Sequence, residues 1–201
     1  TAALQLALQA CEVGPGDEVL VPSLTYVSSF QAISATGATP VACEIDSVTF
    51  TIDLKDCDRR LTQKTKVIMP VHYAGGVGNL DQVYKFAKSY KLRVIEDAAH
   101  AFGTTYKQQR IGGFGDIACF SFDGIKNITS GEGGCIVTED QSVIEKVKDS
   151  RLLGVKNDSK ARLDRQRSWL FEVEEQGWRY HMSDLMAAIG IVQLDRFDEF
   201  T

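Results

Sequence analysis

The sequence predicts an α/β protein built on a mixed, mostly parallel sheet with helices on both faces. Three observations carry this expectation. Between residues 18 and 96, short apolar runs of strand character alternate with segments whose apolar residues recur every three or four positions. Beyond Asp97 the texture changes to short strand candidates separated by glycine-rich turns, which favours a mixed sheet over a purely parallel one. Two further helical patterns, joined by a polar loop, close the chain.

Taken in order, Ala3, Leu4, Ala7, Leu8 and Cys11 share one helical face over residues 2–11, and Gly14-Pro15-Gly16 stops that helix. A strand at 18–21 runs into a turn at Pro22-Ser23, a helix follows over 26–35, and a short apolar run lies near 40–45. A buried strand is expected at 67–71, then a loop with Gly75-Gly76, then a helix over Leu80–Tyr90 capped by Asn79 or Asp81. Strands at 93–96, 104–106, Ile117–Ser121 and 135–138 come next. Amphipathic helices are expected over 142–153 and 185–197, the second capped by Ser183. Ligands of such sheets gather at the carboxyl ends of the strands.

The 201 residues are 44% hydrophobic and 24% charged, the balance of a globular protein with one sizeable core. Acidic residues outnumber basic ones by 27 to 22, and the basic ones are scattered until residues 156–167, so nucleic acid is not expected as a partner. That basic stretch reads first as a solvated loop and second as a phosphate-facing one. Cys11, Cys43, Cys57, Cys119 and Cys135 are widely spaced with no CxxC pair, as reduced core thiols are. His72, His100 and His181 form no metal-ligand spacing, so no metal site is expected. Neither a leader pattern nor an apolar run of about 20 residues is present, so the expected location is the cytoplasm, away from membranes. Thr1 opens directly into a helical pattern and Phe200-Thr201 stops just after one, which suggests a fragment.

Two places stand out chemically: the strand end running into Glu96-Asp97-Ala98-Ala99-His100, and the run from Ser121 through Lys126 to Gly134. A lysine amid small and apolar residues is partly desolvated, which favours the neutral amine that attacks a carbonyl. Lys126 is such a residue. A carboxylate ending a buried strand is costly unless something cationic meets it, and a protonated pyridine nitrogen is a suitable partner for Asp97. Each also has a plainer reading: a loop lysine is ordinarily solvated, and an Asp after a strand is often a cap or turn former. Gly112-Gly113 and Gly131, Gly133 and Gly134 fit hairpin turns equally well, and neither region matches a GxGxxG or GxxxxGK[ST] phosphate loop.

The stretches TAALQLAL, GPGDEVLVPSLTYV, PVHYAGGVGNLD, VIEDAAHAFG, GGFGDIACFSFDGIKNITSGEGG and YHMSDLMAAIGIVQL together cover nearly the whole chain. In that order they resemble the DegT/DnrJ/StrS group of nucleotide-sugar aminotransferases. The resemblance implies the large domain of a PLP-dependent transferase of the aspartate aminotransferase type over residues 1–201. The N-terminal segment and the small C-terminal domain would be absent. It makes Lys126 the lysine that holds pyridoxal 5'-phosphate covalently, Asp97 the partner of the pyridine nitrogen, and His100 a neighbour of the ring. Ser121 and the turn at Thr1 and Ala2 would hold the phosphate at a helix N-terminus, and Tyr26 would stack on the ring. The plainer readings are a core aromatic for Tyr26 and hydrogen-bonded structural histidines for His100 and His181.

By the same resemblance an amino-acid donor such as glutamate leaves the cofactor as pyridoxamine 5'-phosphate, which aminates a keto-sugar carried on a nucleoside diphosphate. The EDAAHAFG wording favours amination at C4. A homodimer with a shared active site is implied, with the segment Trp178-Arg179-Tyr180-His181-Met182-Ser183 resembling a loop that reaches the neighbouring subunit. The sequence departs from the commonest pattern at His100, where Gln is frequent, at Asp123, where His is frequent, and at His181, where Asn or Arg is frequent. Two alternatives share the scaffold: a sugar dehydratase, whose branch typically replaces the lysine by histidine and so conflicts with Lys126, and a non-catalytic regulatory protein.

Overall fold

Start and stop signals written in the sequence set most of the element boundaries. The computed structural model describes residues 1–156 and 172–200. Helix α1 (Ala2–Ala10) ends as Glu12, at φ +59°, and Gly16, at φ +93°, turn the chain into strand β1 (Glu18–Pro22). Helix α2 (Val27–Ala35) and strand β2 (Thr39–Cys43) follow. Helix α3 (Leu54–Arg60) is capped by the Asp53 carboxylate, which accepts from the Lys55 N–H. Strand β3 (Thr65–Ile68) leads through a 3-10 turn (Tyr73–Gly75) to helix α4 (Leu80–Tyr90) and strand β4 (Arg93–Asp97). Asn79, not Asp81, caps α4: its side chain accepts from the Gln82 N–H.

A small hairpin, β5 (Thr105–Tyr106) and β6 (Gln109–Arg110), precedes strands β7 (Ile117–Ser121) and β8 (Gly134–Thr138). Helix α5 (Gln141–Ser150) is capped by Asp140, and helices α6 (Asp184–Asp195) and α7 (Phe197–Phe200) close the described chain. The main sheet runs β2-β1-β3-β4-β7-β8, parallel throughout except for the antiparallel pairing of β7 with β8. The mixed, mostly parallel sheet expected from the texture change after Asp97 is therefore the one observed.

Side-chain alternation divides the core cleanly. Val19, Val21, Val67, Met69, Ile95, Ile117 and Cys119 face Leu4, Ala7 and Leu8 of α1, Ile33 of α2 and Val143 of α5. Leu20, Ile68, Val94, Ala118 and Phe120 face Cys57 of α3 and Leu80, Val83 and Ala87 of α4. Each fully buried Val, Leu or Ile contributes about 1.5–3 kcal/mol, so both helical layers are held by burial on both faces.

Several boundaries differ from the sequence reading. The strand expected at 67–71 pairs over Thr65–Ile68 instead, because Pro70 has no N–H to donate; Val71 keeps only an isolated bridge to Asp97. Helix α3 was not anticipated, since it buries only Asp56 and Cys57 and carries no apolar periodicity. The helix expected to reach residue 153 ends at Ser150, where Leu153 and Gly154 take positive φ. Helix α6 is capped by Ser183 as expected, but it is not amphipathic: Leu185 (79% exposed), Ile191, Val192 and Leu194 all face outward. All of the basic stretch except Lys156 lies outside the described residues. Among the described residues no helix is long and apolar enough to cross a membrane.

A buried polar cluster ties β4 to the β3–α4 connection on the α4 side of the sheet. His72, fully buried, donates from Nε2 to Glu96 at 2.6 Å, and the Tyr84 hydroxyl donates to the other Glu96 oxygen at 2.5 Å. The same hydroxyl accepts from the Asp116 N–H at 3.0 Å. Gly115, at φ +92°, has room for no Cβ, because one would run into that hydroxyl. Burial and the nearby Glu96 carboxylate together push the Tyr84 phenol well above its ordinary range, so it stays a donor. Removing one partner of such a cluster leaves a buried carboxylate short of donors. We expect His72→Leu to lower stability by about 3 kcal/mol in urea denaturation. Adding Glu96→Leu should recover part of that loss, the two changes being non-additive.

Candidate active site

The carboxyl ends of adjacent strands β4 and β7 put two polar side chains on one face. Ile95 and Cys119 belong to the α1 side of the core, so Asp97 and Ser121, two residues further along their strands, point the same way. Asp97 pairs with Cys119 in the ladder, which sets Ser121 one pleat beyond it. Asp97 is buried at 5% exposure. One carboxylate oxygen accepts from the Ser29 hydroxyl at 2.7 Å, the other from the Ala99 N–H at 3.2 Å. Since the single Ser29 proton is committed to Asp97, Thr25 is the donor in the 2.7 Å contact between the two hydroxyls. Among the described residues no cationic side chain pairs with Asp97, so its charge is met by neutral donors alone.

Ser29 lies on α2 one turn past Tyr26, whose carbonyl accepts the Ser29 N–H. Tyr26 precedes by one turn the serine that meets Asp97 and is 72% exposed, so it is not a core aromatic. Ser29 was missed in the sequence reading. A small hydroxyl one helical turn after a loop aromatic is a weak signal, and only the crossing of α2 over β4 gives it meaning.

His100 joins this group from the loop after β4. The Ala74 N–H donates to its Nδ1 at 3.3 Å. Its pKa is lowered, first by burial and then by the positive charge of Lys126, against the opposing pull of Asp97. The ring thus lies within the electrostatic reach of both residues. Lys126 is half-buried in a tightly turned loop: its N–H donates to the Asp123 carbonyl at 3.1 Å, and the neighbouring Asn127 side chain donates to the Phe102 carbonyl at 2.7 Å. That second bond straps the lysine loop to the loop carrying His100. Ser130, buried, donates to the Glu132 carbonyl, and the Phe122 and Gly133 backbones exchange a bond that closes the loop's base.

The start of α1 reaches the same edge. Gly134 pairs with Ser121, and a Cβ built on Gly134 would stand 3.8 Å from the Ala3 Cβ. Thr1 accepts the Gln5 N–H with its carbonyl but makes no side-chain cap, so its hydroxyl and the first-turn N–H groups of Ala2 and Ala3 remain free donors. Ser121 is half-buried beside them and also accepts the Asp123 N–H, at 3.4 Å. A helix N-terminus next to a hydroxyl is a donor-rich place for an anion.

The segment 176–180 is tethered to this chain's own α1: the Trp178 indole donates to Gln9 at 2.9 Å and the Tyr180 hydroxyl to Gln5 at 3.1 Å. Arg179 and His181 remain exposed. Met182 and Met186 pack beside Gly133 and Gly131, so the start of α6 backs the lysine loop.

Asp97, Ser121 and the start of α1 at Thr1 and Ala2 thus lie at the carboxyl end of β4 and β7, His100 and Lys126 sit on loops strapped together by Asn127, and Tyr26 stands one turn before Ser29 on α2. The DegT/DnrJ/EryC1/StrS aminotransferase family matches residues 1–201. The chain belongs to that family. It is 44% identical over 199 residues to the GDP-perosamine synthase of Caulobacter vibrioides, covering 99% of this chain and 51% of that protein. It is 43% identical to the spore coat polysaccharide biosynthesis protein SpsC of Bacillus subtilis, with the same coverage. A protein of Streptococcus pneumoniae described as a sugar aminotransferase, solved in a PLP form, superposes with TM-score 0.87 at 35% identity, over 98% of this chain and 53% of that one. The fold is therefore that of the family's solved members, and the chain spans about half the length of the curated relatives it matches.

The electrostatic coupling around His100 can be read directly. In the cofactor-free protein, Lys126→Met removes a positive neighbour and should raise the pH at which His100 titrates. Asp97→Asn removes a negative one and should lower it. Ring-proton NMR titrations of the two variants decide the signs.

Proposed function

We propose that this chain is the large, cofactor-binding domain of a PLP-dependent aminotransferase acting on a nucleotide-linked keto-sugar, in polysaccharide or glycoconjugate biosynthesis. The observation that carries the reading is the buried Asp97 carboxylate, met among the described residues only by the neutral Ser29 hydroxyl and Ala99 N–H, at the strand end where Ser121 and the start of α1 also lie. A buried carboxylate of this kind calls for a cation, and a protonated pyridine ring supplies one. The residues present therefore fit pyridoxal phosphate. Family membership, and the PLP and PMP forms of the Streptococcus pneumoniae relative, support the same cofactor here.

When bound, pyridoxal phosphate supplies an electron sink for the bond broken beside the substrate nitrogen. The chain's own residues do the rest. Lys126 Nζ would hold the cofactor through its aldehyde carbon, with loss of water, and as a free amine it would carry a proton to and from the substrate carbon that bears nitrogen. Asp97, oriented by Ser29 and Ala99, keeps the ring nitrogen protonated. Ser121, Thr1 and the first-turn N–H groups of α1 would hold the phosphate, and Tyr26 and His100 would lie beside the ring.

Glutamate is the donor and a 4-keto-6-deoxy or 3-keto hexose the acceptor in this reading, which rests on the family resemblance and accords with a GDP-perosamine synthase among the relatives. A cytoplasmic homodimer completes it. The test uses the full-length protein. Lys126→Ala should lose the visible absorbance of covalently held PLP while its thermal unfolding stays near wild type, since a loop lysine contributes little to the core. Asp97→Asn should keep that absorbance and lose about two orders of magnitude in single-turnover amination. Unchanged absorbance in the first variant, or near-normal turnover in the second, overturns the assignment.

A further inference from the structure

Beside the cofactor residues lies a row of exposed rings that the reaction as described does not use. Tyr73 packs edge-on against His100, with ring centroids 6.4 Å apart, and Phe50 lies against Tyr73, again at 6.4 Å. Phe50 is 49% exposed and Tyr73 40% exposed. Neither ring fills the core, and the row leads outward from His100.

The backbone holds the rings there at a cost. Phe50 takes φ +57° and Ala74, next to Tyr73, φ +51°, a region that side chains rarely adopt and that is strained for a bulky residue. Phe50 is locked into it. The Asp46 carboxylate accepts from the Val48 and Thr49 N–H groups at 3.0 and 2.8 Å and from the Thr49 hydroxyl, while the Phe50 N–H donates to the Asp46 carbonyl at 2.9 Å. Gly78, at φ +58°, lies too close to Thr51 to allow a Cβ, which fixes the far side of the same turn. Ala74 is held by its bond to His100. Strained backbone that is fixed from several sides, presenting apolar rings to solvent, is a preorganised surface.

We propose that Phe50 and Tyr73 form a stacking shelf for the heterocyclic base of the nucleotide-linked substrate. This rests on the aminotransferase reading above. The chemistry selects the base over the other parts of such a substrate. An amino-acid donor carries charges and a diphosphate carries anions, neither of which is matched by aromatic rings, and the hexose, whose C–H face can lie on one ring, must react beside Lys126. A base offers a flat π face, which any aromatic ring accepts. The geometry selects it as well. The sugar must react beside Lys126 and His100, and the base sits at the other end of a diphosphate and a ribose. Tyr73 and then Phe50 extend from His100 through two successive ring contacts of 6.4 Å.

The test is calorimetric titration of the full-length, PLP-loaded protein with GDP, UDP and dTDP, and with pyrophosphate as the base-free probe. Wild type should bind at least one nucleotide more tightly than pyrophosphate. Phe50→Ala and Tyr73→Ala should each weaken that nucleotide about tenfold and leave pyrophosphate unchanged, and Tyr73→Phe should restore binding to within about twofold. Both rings are exposed, so the variants should fold. The proposal is overturned if the alanine variants bind as wild type does, if pyrophosphate equals every nucleotide on the wild type, or if the variants change only the oligomeric state. The loss of PLP absorbance on adding glutamate is followed in parallel. The shelf variants should leave it intact, and its absence from wild type would sink the aminotransferase reading, and this one with it, whatever the titrations show.

Discussion

A buried carboxylate at the end of β4 is the constraint around which the site is arranged. Asp97 is placed there by strand alternation, on the α1 side of the sheet, with donors from α2 and from the following loop. Its sequence neighbour Glu96 is buried to the same degree but points to the opposite face. There a histidine and a phenol meet it directly. One carboxylate is thus closed off inside the protein, and the other keeps an unmet demand for positive charge. Two adjacent acids of one strand acquire different duties from the two-residue period alone.

The loops that surround Asp97 are fixed by bonds between them, which matters because a site on loops is only as exact as its supports. Asn127 ties the lysine loop to Phe102, and Phe197 of α7 packs on Phe102 from outside, with ring centroids 5.2 Å apart. Met182 and Met186 close the back of the same loop. At the other end of the sheet, Arg93 holds Asp116 through two bonds and Asp140 through a third, locking the entries of β4, β7 and α5 together. The strands are pinned at the end away from the site, and the loops are strapped to one another at the end that carries it.

Much of this was legible in the sequence, for identifiable reasons. Apolar periodicity and caps found α1, α4 and most of the strands of the main sheet, because those elements bury regular faces. Local spacing also placed Asp97 at a strand end and Lys126 in the loop beyond another. It could not find α3, which is short and charged and buries an Asp that is satisfied by the Glu44 N–H, Arg60 and Arg59. Nor could it find Ser29, which acts only where α2 crosses β4. The misreading of α6 has a different origin. Periodicity assumes that an apolar helix faces one partner, and α6 presents apolar residues outward as well. The roles of Thr1, Ala2, Ser121 and Tyr26 came from resemblance, since nothing in their local sequence distinguishes them.

His100 joins the two halves of the structure. Its Nδ1 accepts the Ala74 N–H, so in the neutral ring the proton resides on Nε2. Burial and Lys126 hold the pKa below its ordinary value, so that neutral tautomer is the form present near neutral pH. Ala74 belongs to the turn that begins at His72, whose N–H donates to the Asp97 carbonyl and whose ring is anchored on Glu96. The closed cluster on the α4 side therefore fixes the turn, and the turn fixes the tautomer of His100, on the loop that follows Asp97. The buried acid that takes no part in the chemistry thus shapes the site through the backbone, and the stability of one face and the donor pattern of the other depend on the same few bonds.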